Sequence, residues 1–278
     1  MKKRVALFAG LAALVIGTLL PGVALAQGQG KNDVFSYVAI GDSITFGDGA
    51  SSPATTGNTA LFHAYLDGKP DVSLVNLAQP GATSGSVLSG QLASALAVIN
   101  DNKTNVTTVS LQVGGDDLLV PLQPGGPCSE DPGSEECAAA FATALESFAN
   151  NYIATLATLQ SALAKDPGKE TLLVQTVYNP FDGPLAALKP IGDLSLLGFD
   201  GTVDCAANQQ DPYNVGLNDL IVCIGGAFGA TIVDVFPIFD GNALSLTHIA
   251  IGDGNPNDAG HAAIANATIA AYAAVNNP

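Results

Sequence analysis

Short apolar runs rich in β-branched residues alternate along this chain with longer stretches in which apolar positions recur every three or four residues. The runs at 37–40, 72–77, 106–113, 172–177 and 231–236 read as strands. Between and after them, 58–66, 86–99, 138–164, 214–224 and 258–275 read as helices. In 86–99, Leu88, Leu92, Leu96 and Ile99 share one face that can lie on a sheet. In 138–164, Phe141, Leu145, Phe148, Tyr152, Leu156, Leu159 and Leu163 form a stripe, which reads as core packing, and Asp166-Pro167-Gly168 ends that helix. The run at 106–113 alternates only partly, as in a strand covered on both faces. Residues 181–212 read as irregular and Gly/Pro-rich, either a pocket wall or lid or a plain surface insertion. This alternation predicts an α/β fold: a three-layer α/β/α arrangement around a central, mostly parallel five-stranded sheet. No GxGxxG pattern supports a dinucleotide site.

The first 26 residues stand apart from this pattern. Lys2-Lys3-Arg4, an apolar run over 5–20 and the small-residue site Ala24-Leu25-Ala26 read as a secretory signal peptide cleaved after Ala26. The run is short for a membrane span, and no comparable run follows. The expected product is a single domain over 27–278 with a disordered lead at 27–34. It is expected to be secreted or held in the cell envelope without a stable membrane span. The formal charge of the whole chain is −16. Removing the leader leaves six lysines, no arginine and 25 acidic groups, a formal charge of −19. Such a surface repels nucleic acid, and the missing arginines remove the usual bidentate clamp for phosphate or carboxylate. Small neutral or apolar substrates fit this better than anions. The four cysteines, Cys128, Cys137, Cys205 and Cys223, suggest two disulfides in an exported chain, with the local pairing Cys128–Cys137 and Cys205–Cys223 favoured among three.

The candidate chemistry starts where the first strand stops. Tyr37-Val-Ala-Ile-Gly41-Asp42-Ser43-Ile-Thr45 is a buried strand running into a small-residue turn that can expose a serine hydroxyl. Gly41-Asp42-Ser43-Ile44-Thr45 resembles the first block of the SGNH, or GDSL, hydrolases, a family of esterases, lipases, thioesterases and carbohydrate deacetylases. The resemblance extends over about 34–274. It implies a serine esterase or lipase working through an acyl-enzyme at Ser43, with no cofactor. It assigns oxyanion donors to the Ser43 N–H and to Gly81, within Gln79-Pro80-Gly81-Ala82.

Two positions depart from the family pattern. Gly114-Gly115-Asp116-Asp117 carries Asp116 where the family has an oxyanion asparagine, and an ionised carboxylate repels the charge an amide would stabilise. Asp253-Gly254-Asn255-Pro256-Asn257 carries Asn255 where the family has its catalytic histidine, and an amide is no general base. The histidines left to act as base are His261, with Asp258 three residues earlier on the same helical face, and His248. His63 reads as structural or exposed. The alternative is a catalytically impaired family member that binds acylated lipid or glycan. Calcium held by Asp42, Asp116, Asp117, Asp253 and Asp258 is a further alternative, although the last block lacks the length and closing glutamate of an EF-hand.

Overall fold

A computed structural model describes residues 35–67, 72–101, 105–129, 131, 133–165, 170–198, 200–205 and 214–276. The leader at 1–26, the lead at 27–34 and the helix stop at 166–168 lie outside the described residues. The strands are β1 (Phe35–Gly41), β2 (Val72–Asn76), β3 (Asn105–Gln112), β4 (Thr171–Gln175) and β5 (Thr231–Val233). The helices that cover them are α1 (Asn58–Leu66), α2 (Leu92–Ile99), α3 (Glu135–Leu163), α4 (Lys189–Leu197), α5 (Leu217–Ala227) and α6 (Asp258–Asn276).

The strands pair in the order β2-β1-β3-β4-β5, every neighbour parallel. Side chains that alternate along each strand feed two separate cores. Val38 and Ile40 of β1, with Leu172 and Val174 of β4, pack under α2, α3 and α5. Tyr37 and Ala39, with Leu173, pack under α1 and α6 on the other face. Burial on both faces accounts for the near-continuous apolar runs of β1 and β4. Two of the buried aromatics on the second face, Tyr37 and Phe62, meet edge-on at 5.1 Å. The chain leaves β1 for β2 on one side and returns to β3 on the other. That reversal opens a crevice at the carboxyl ends of β1 and β3, where ligands bind in open α/β sheets.

Local chemistry explains where the elements differ from the sequence reading. α3 begins at Glu135 rather than 138 because Ser134 caps it, its side chain accepting a hydrogen bond from Cys137 N. The 86–99 helix opens with a wide π turn over Val87–Gln91. β5 ends at Val233 because the Thr176 hydroxyl accepts from Val235 N and Phe236 N and turns the chain away from the sheet. The irregular stretch at 181–212 contains a 3-10 turn, Gly183–Leu188, and the helix α4. Pro190 in the first turn and Gly192 in the middle hide that helix from a periodicity reading. Tertiary contacts hold it: Asn179 donates to Lys189 O and Asp193 Oδ1, and Lys189 Nζ bridges Asp193 and Asp240. Residues 199 and 206–212 of that stretch lie outside the described residues. Both disulfides follow the favoured pairing, Cys128–Cys137 and Cys205–Cys223.

Candidate active site

Ser43 sits on the sharp turn that ends β1. Gly41 has φ +151°, and a β-carbon there would collide with the Gln112 carbonyl at the end of β3, so the strands approach closely only because residue 41 is glycine. Gln91, the last residue of the π turn, pairs with both backbone groups of Gly41. Its Oε1 accepts from Gly41 N and its Nε2 donates to Gly41 O, each at 2.8 Å. The Asp42 carboxylate accepts from Ile44 N at 3.0 Å and from Gln112 Nε2 at 3.2 Å, capping the one-turn helix Ser43–Phe46. Burial, reinforced by the nearby Asp116 charge, holds the Asp42 carboxyl well above the usual carboxylate range.

The Ser43 hydroxyl is half-buried and donates to Asn255 Oδ1 at 3.0 Å. Asn255 Nδ2 donates in turn to Asp253 Oδ1 at 2.9 Å, and the Asn255 backbone N–H reaches the same oxygen. A carboxylate can only accept, so the Asn255 amide has one orientation: NH₂ toward Asp253, oxygen toward Ser43. The resulting Ser43–Asn255–Asp253 chain has the connectivity of a nucleophile–base–carboxylate relay with an amide in the middle. By sequence resemblance Asn255 stands at the family's histidine position, which points to His261 or His248 as the partner of Ser43. The structure makes Asn255 itself the hydroxyl's partner and Asp253 its support.

The histidines named from sequence do other work. His261 is fully buried on α6, where its Nε2 donates to Asp48 O at 2.8 Å and its Nδ1 accepts from Asn58 N at 3.2 Å. Asn58 Oδ1 also lies 3.1 Å from Nδ1, and burial lowers the ring's pKa. His248 Nε2 donates to Gly49 O at 2.8 Å. The two rings therefore fasten the 48–49 loop just beyond the serine turn, and neither is hydrogen-bonded to Ser43. His63 Nε2 donates to Val72 O. Asp258 does not bond His261. It accepts from Ser51 N and Oγ and from the Thr56 hydroxyl, contacts that lower its pKa at an exposed position.

Asp116 lines a cavity of ≈ 290 Å³ together with Asp42, Ser43, Asp253 and Asn255. Burial, then repulsion from Asp117, raises its pKa. The neighbouring Asp117 takes a structural part: its carboxylate accepts from Ser84 N and Oγ and so ties the 79–84 turn to the end of β3. Gly81 lies in that turn at φ +74°, exposed and outside the cavity lining. The rest of the lining is largely apolar and comes from the 115–122 turn, α3, α4 and the stretch after β4. Tyr178 in that stretch donates to Gly254 O at 2.8 Å and stacks on Phe239, bracing the loop that carries Asn255. Among the described residues, no three His, Cys, Asp or Glu side chains converge to hold a metal, so the acidic residues named above form no such group. No helix of the described residues is long and apolar enough to cross a membrane.

Comparison with known proteins places this geometry in context. The model of the GDSL-like lipase/acylhydrolase family matches residues 39–263. None of the curated proteins matches the chain in sequence. Among solved structures, a lipase from a goat rumen metagenome superposes with a TM-score of 0.62 at 19% identity, over 86% of this chain and 97% of that one. A putative GDSL-like lipase from Parabacteroides merdae superposes at 0.55 with 17% identity, over 88% and 98%. An acetylxylan esterase from Geobacillus stearothermophilus superposes at 0.50 with 17% identity, over 87% and 94%. At these identities the superpositions speak for the fold.

Proposed function

This chain belongs to the GDSL-like lipase/acylhydrolase family, and on that premise we propose that it is an exported serine ester hydrolase whose nucleophile, Ser43, works without a histidine base. The carrying observation is the Ser43–Asn255–Asp253 chain of hydrogen bonds at the wall of a largely apolar cavity. Ser43 Oγ bonds to the acyl carbon of a neutral ester, the alcohol oxygen leaves, and the hydroxyl proton ends on that departing oxygen. Water then cleaves the acyl-enzyme to free acid. Asn255 orients the hydroxyl but takes no proton, because a neutral amide is a negligible base at physiological pH. Turnover is therefore slow, since a positioned general base typically contributes about 10²–10⁴-fold. The Ser43 N–H opens a one-turn helix, whose first amides have no intrahelical partner, and is one oxyanion donor. Export is supported by the leader pattern at 1–26 and by the two disulfides.

The missing base equally favours a second reading, a family member that binds acylated lipid or glycan without cleaving it. An alkyl phosphonate probe and Asn255→His separate the two. The hydrolase reading expects slow labelling of wild type, none of Ser43→Ala, and a rise in kcat on an aryl ester of about 10²-fold in Asn255→His. Ligand binding without labelling in either wild type or Asn255→His supports the second reading and overturns the first.

A further inference from the structure

Two adjacent glycines, Gly114 and Gly115, follow β3, and only one of them is explained by packing. A β-carbon on Gly114 would lie 2.9 Å from Phe148 and 3.0 Å from Leu217, so the core leaves no room there. A β-carbon on Gly115 would meet only Val177 Cγ1, at 3.8 Å, an ordinary contact. Gly115 is among the cavity-lining residues, so the space its missing side chain leaves belongs to the cavity. Nothing in the fold requires that space; a ligand would use it.

The cavity is chemically divided. Its polar lining includes the hydrogen-bonded group around Ser43 together with Asp116, Asn179 and Ser195, whereas Leu118, Leu122, Phe141, Val177 and Leu196 contribute hydrocarbon alone. Its volume is ≈ 290 Å³. At roughly 30 Å³ for each water-sized group, that is space for about ten heavy atoms. An acetyl group would leave most of the apolar wall uncovered. The lining holds no lysine, arginine or histidine to pair with an anionic guest, so the cavity suits a neutral ester better than the acid released from it.

We propose that this cavity is an acyl site selecting medium-length chains of about seven to nine carbons, and that the space left open at Gly115 helps to admit them. The proposal builds on the reading of Ser43 as the acyl acceptor, but the cavity's chain preference does not depend on turnover. Two series test it. The first is kcat/KM for p-nitrophenyl esters from acetyl to palmitoyl on the full chain. The second is calorimetric binding of methyl alkanoates to Ser43→Ala, which reports chain preference with no chemistry. Each methylene from butanoyl to about octanoyl should raise kcat/KM about fourfold, corresponding to about 0.8 kcal/mol per buried methylene, and the rise should stop near nine carbons. Gly115→Val should move the optimum toward shorter chains, and Phe141→Ala should move it toward longer ones. A flat series, an acetyl optimum, or an optimum that neither variant moves overturns the proposal. Graded binding to Ser43→Ala without turnover by wild type upholds the acyl site while removing the hydrolase reading.

Discussion

At the scale of single residues, one carboxylate and one amide decide what this site can do. Asp116 stands where the sequence resemblance expects an oxyanion amide, and its pKa is raised by burial and by Asp117. Protonated, it can donate to a developing oxyanion; ionised, it repels one. The raised pKa keeps the helpful form to higher pH than a free aspartate would, so wild-type kcat should fall as pH rises through that pKa. Asp116→Asn should lack this decline and exceed wild type by about tenfold or more at pH 8, given the 3–4 kcal/mol scale of an oxyanion donor. The same ionisation affects stability. A folded-state pKa above the unfolded value favours the fold at low pH, and that advantage is lost as pH rises through the folded pKa. Asp116→Asn should therefore raise Tm relative to wild type at pH 8 and lose that gain as pH is lowered. Parallel pH–rate and thermal-melt series check both, and identical profiles for the two proteins would show that Asp116 bears on neither.

At the scale of elements, the serine turn is assembled from parts far apart in the chain. Gln91 reaches Gly41 because a π turn, Val87–Gln91, precedes α2 and offsets the helix by one residue. A sequence pattern tuned to 3.6 residues per turn reads 86–99 as one helix and passes over this. Gln91→Ala leaves the buried Gly41 N–H without its acceptor, while Gly41 O keeps the donor Gln79 N. The expected cost is about 2–3 kcal/mol in urea unfolding, with a loss of Ser43 reactivity toward the phosphonate. A change below about 0.5 kcal/mol would show that the turn holds without this clamp. Asn179 works similarly on the cavity wall, where it anchors α4 at a point that Gly192 keeps clear.

At the scale of the whole molecule, the strand order β2-β1-β3-β4-β5 brings the ends of β1 and β3 together. The strands and long helices were legible because each buries apolar residues at its own period. Covalent ties add to this frame. Loops of 9 and 18 residues are closed by Cys128–Cys137 and Cys205–Cys223. In the chain-entropy account these loops contribute about 2.5 and about 3 kcal/mol. Replacing each pair by serines should lower unfolding free energy by those amounts in that order, measured in urea without reductant. Equal losses would place the effect in native-state packing rather than in loop length.

The residues alone determined the fold class, the positions of most elements and the address of Ser43, because periodicity, turn chemistry and short local motifs carry that information; among three disulfide pairings they only favoured the one that formed. The resemblance sets Asn255 and Asp116 where the family pattern has its histidine and asparagine. The residues left open what those replacements do. Asp258 and His261 share a helical spacing that reads as a catalytic pair, yet one holds Ser51 and Thr56 while the other holds Asp48 and Asn58. Ser43 and Asn255 are 212 residues apart, and only the packed sheet brings them within 3.0 Å. A hydrogen bond depends on direction as well as proximity, and across such separations the tertiary structure alone sets both.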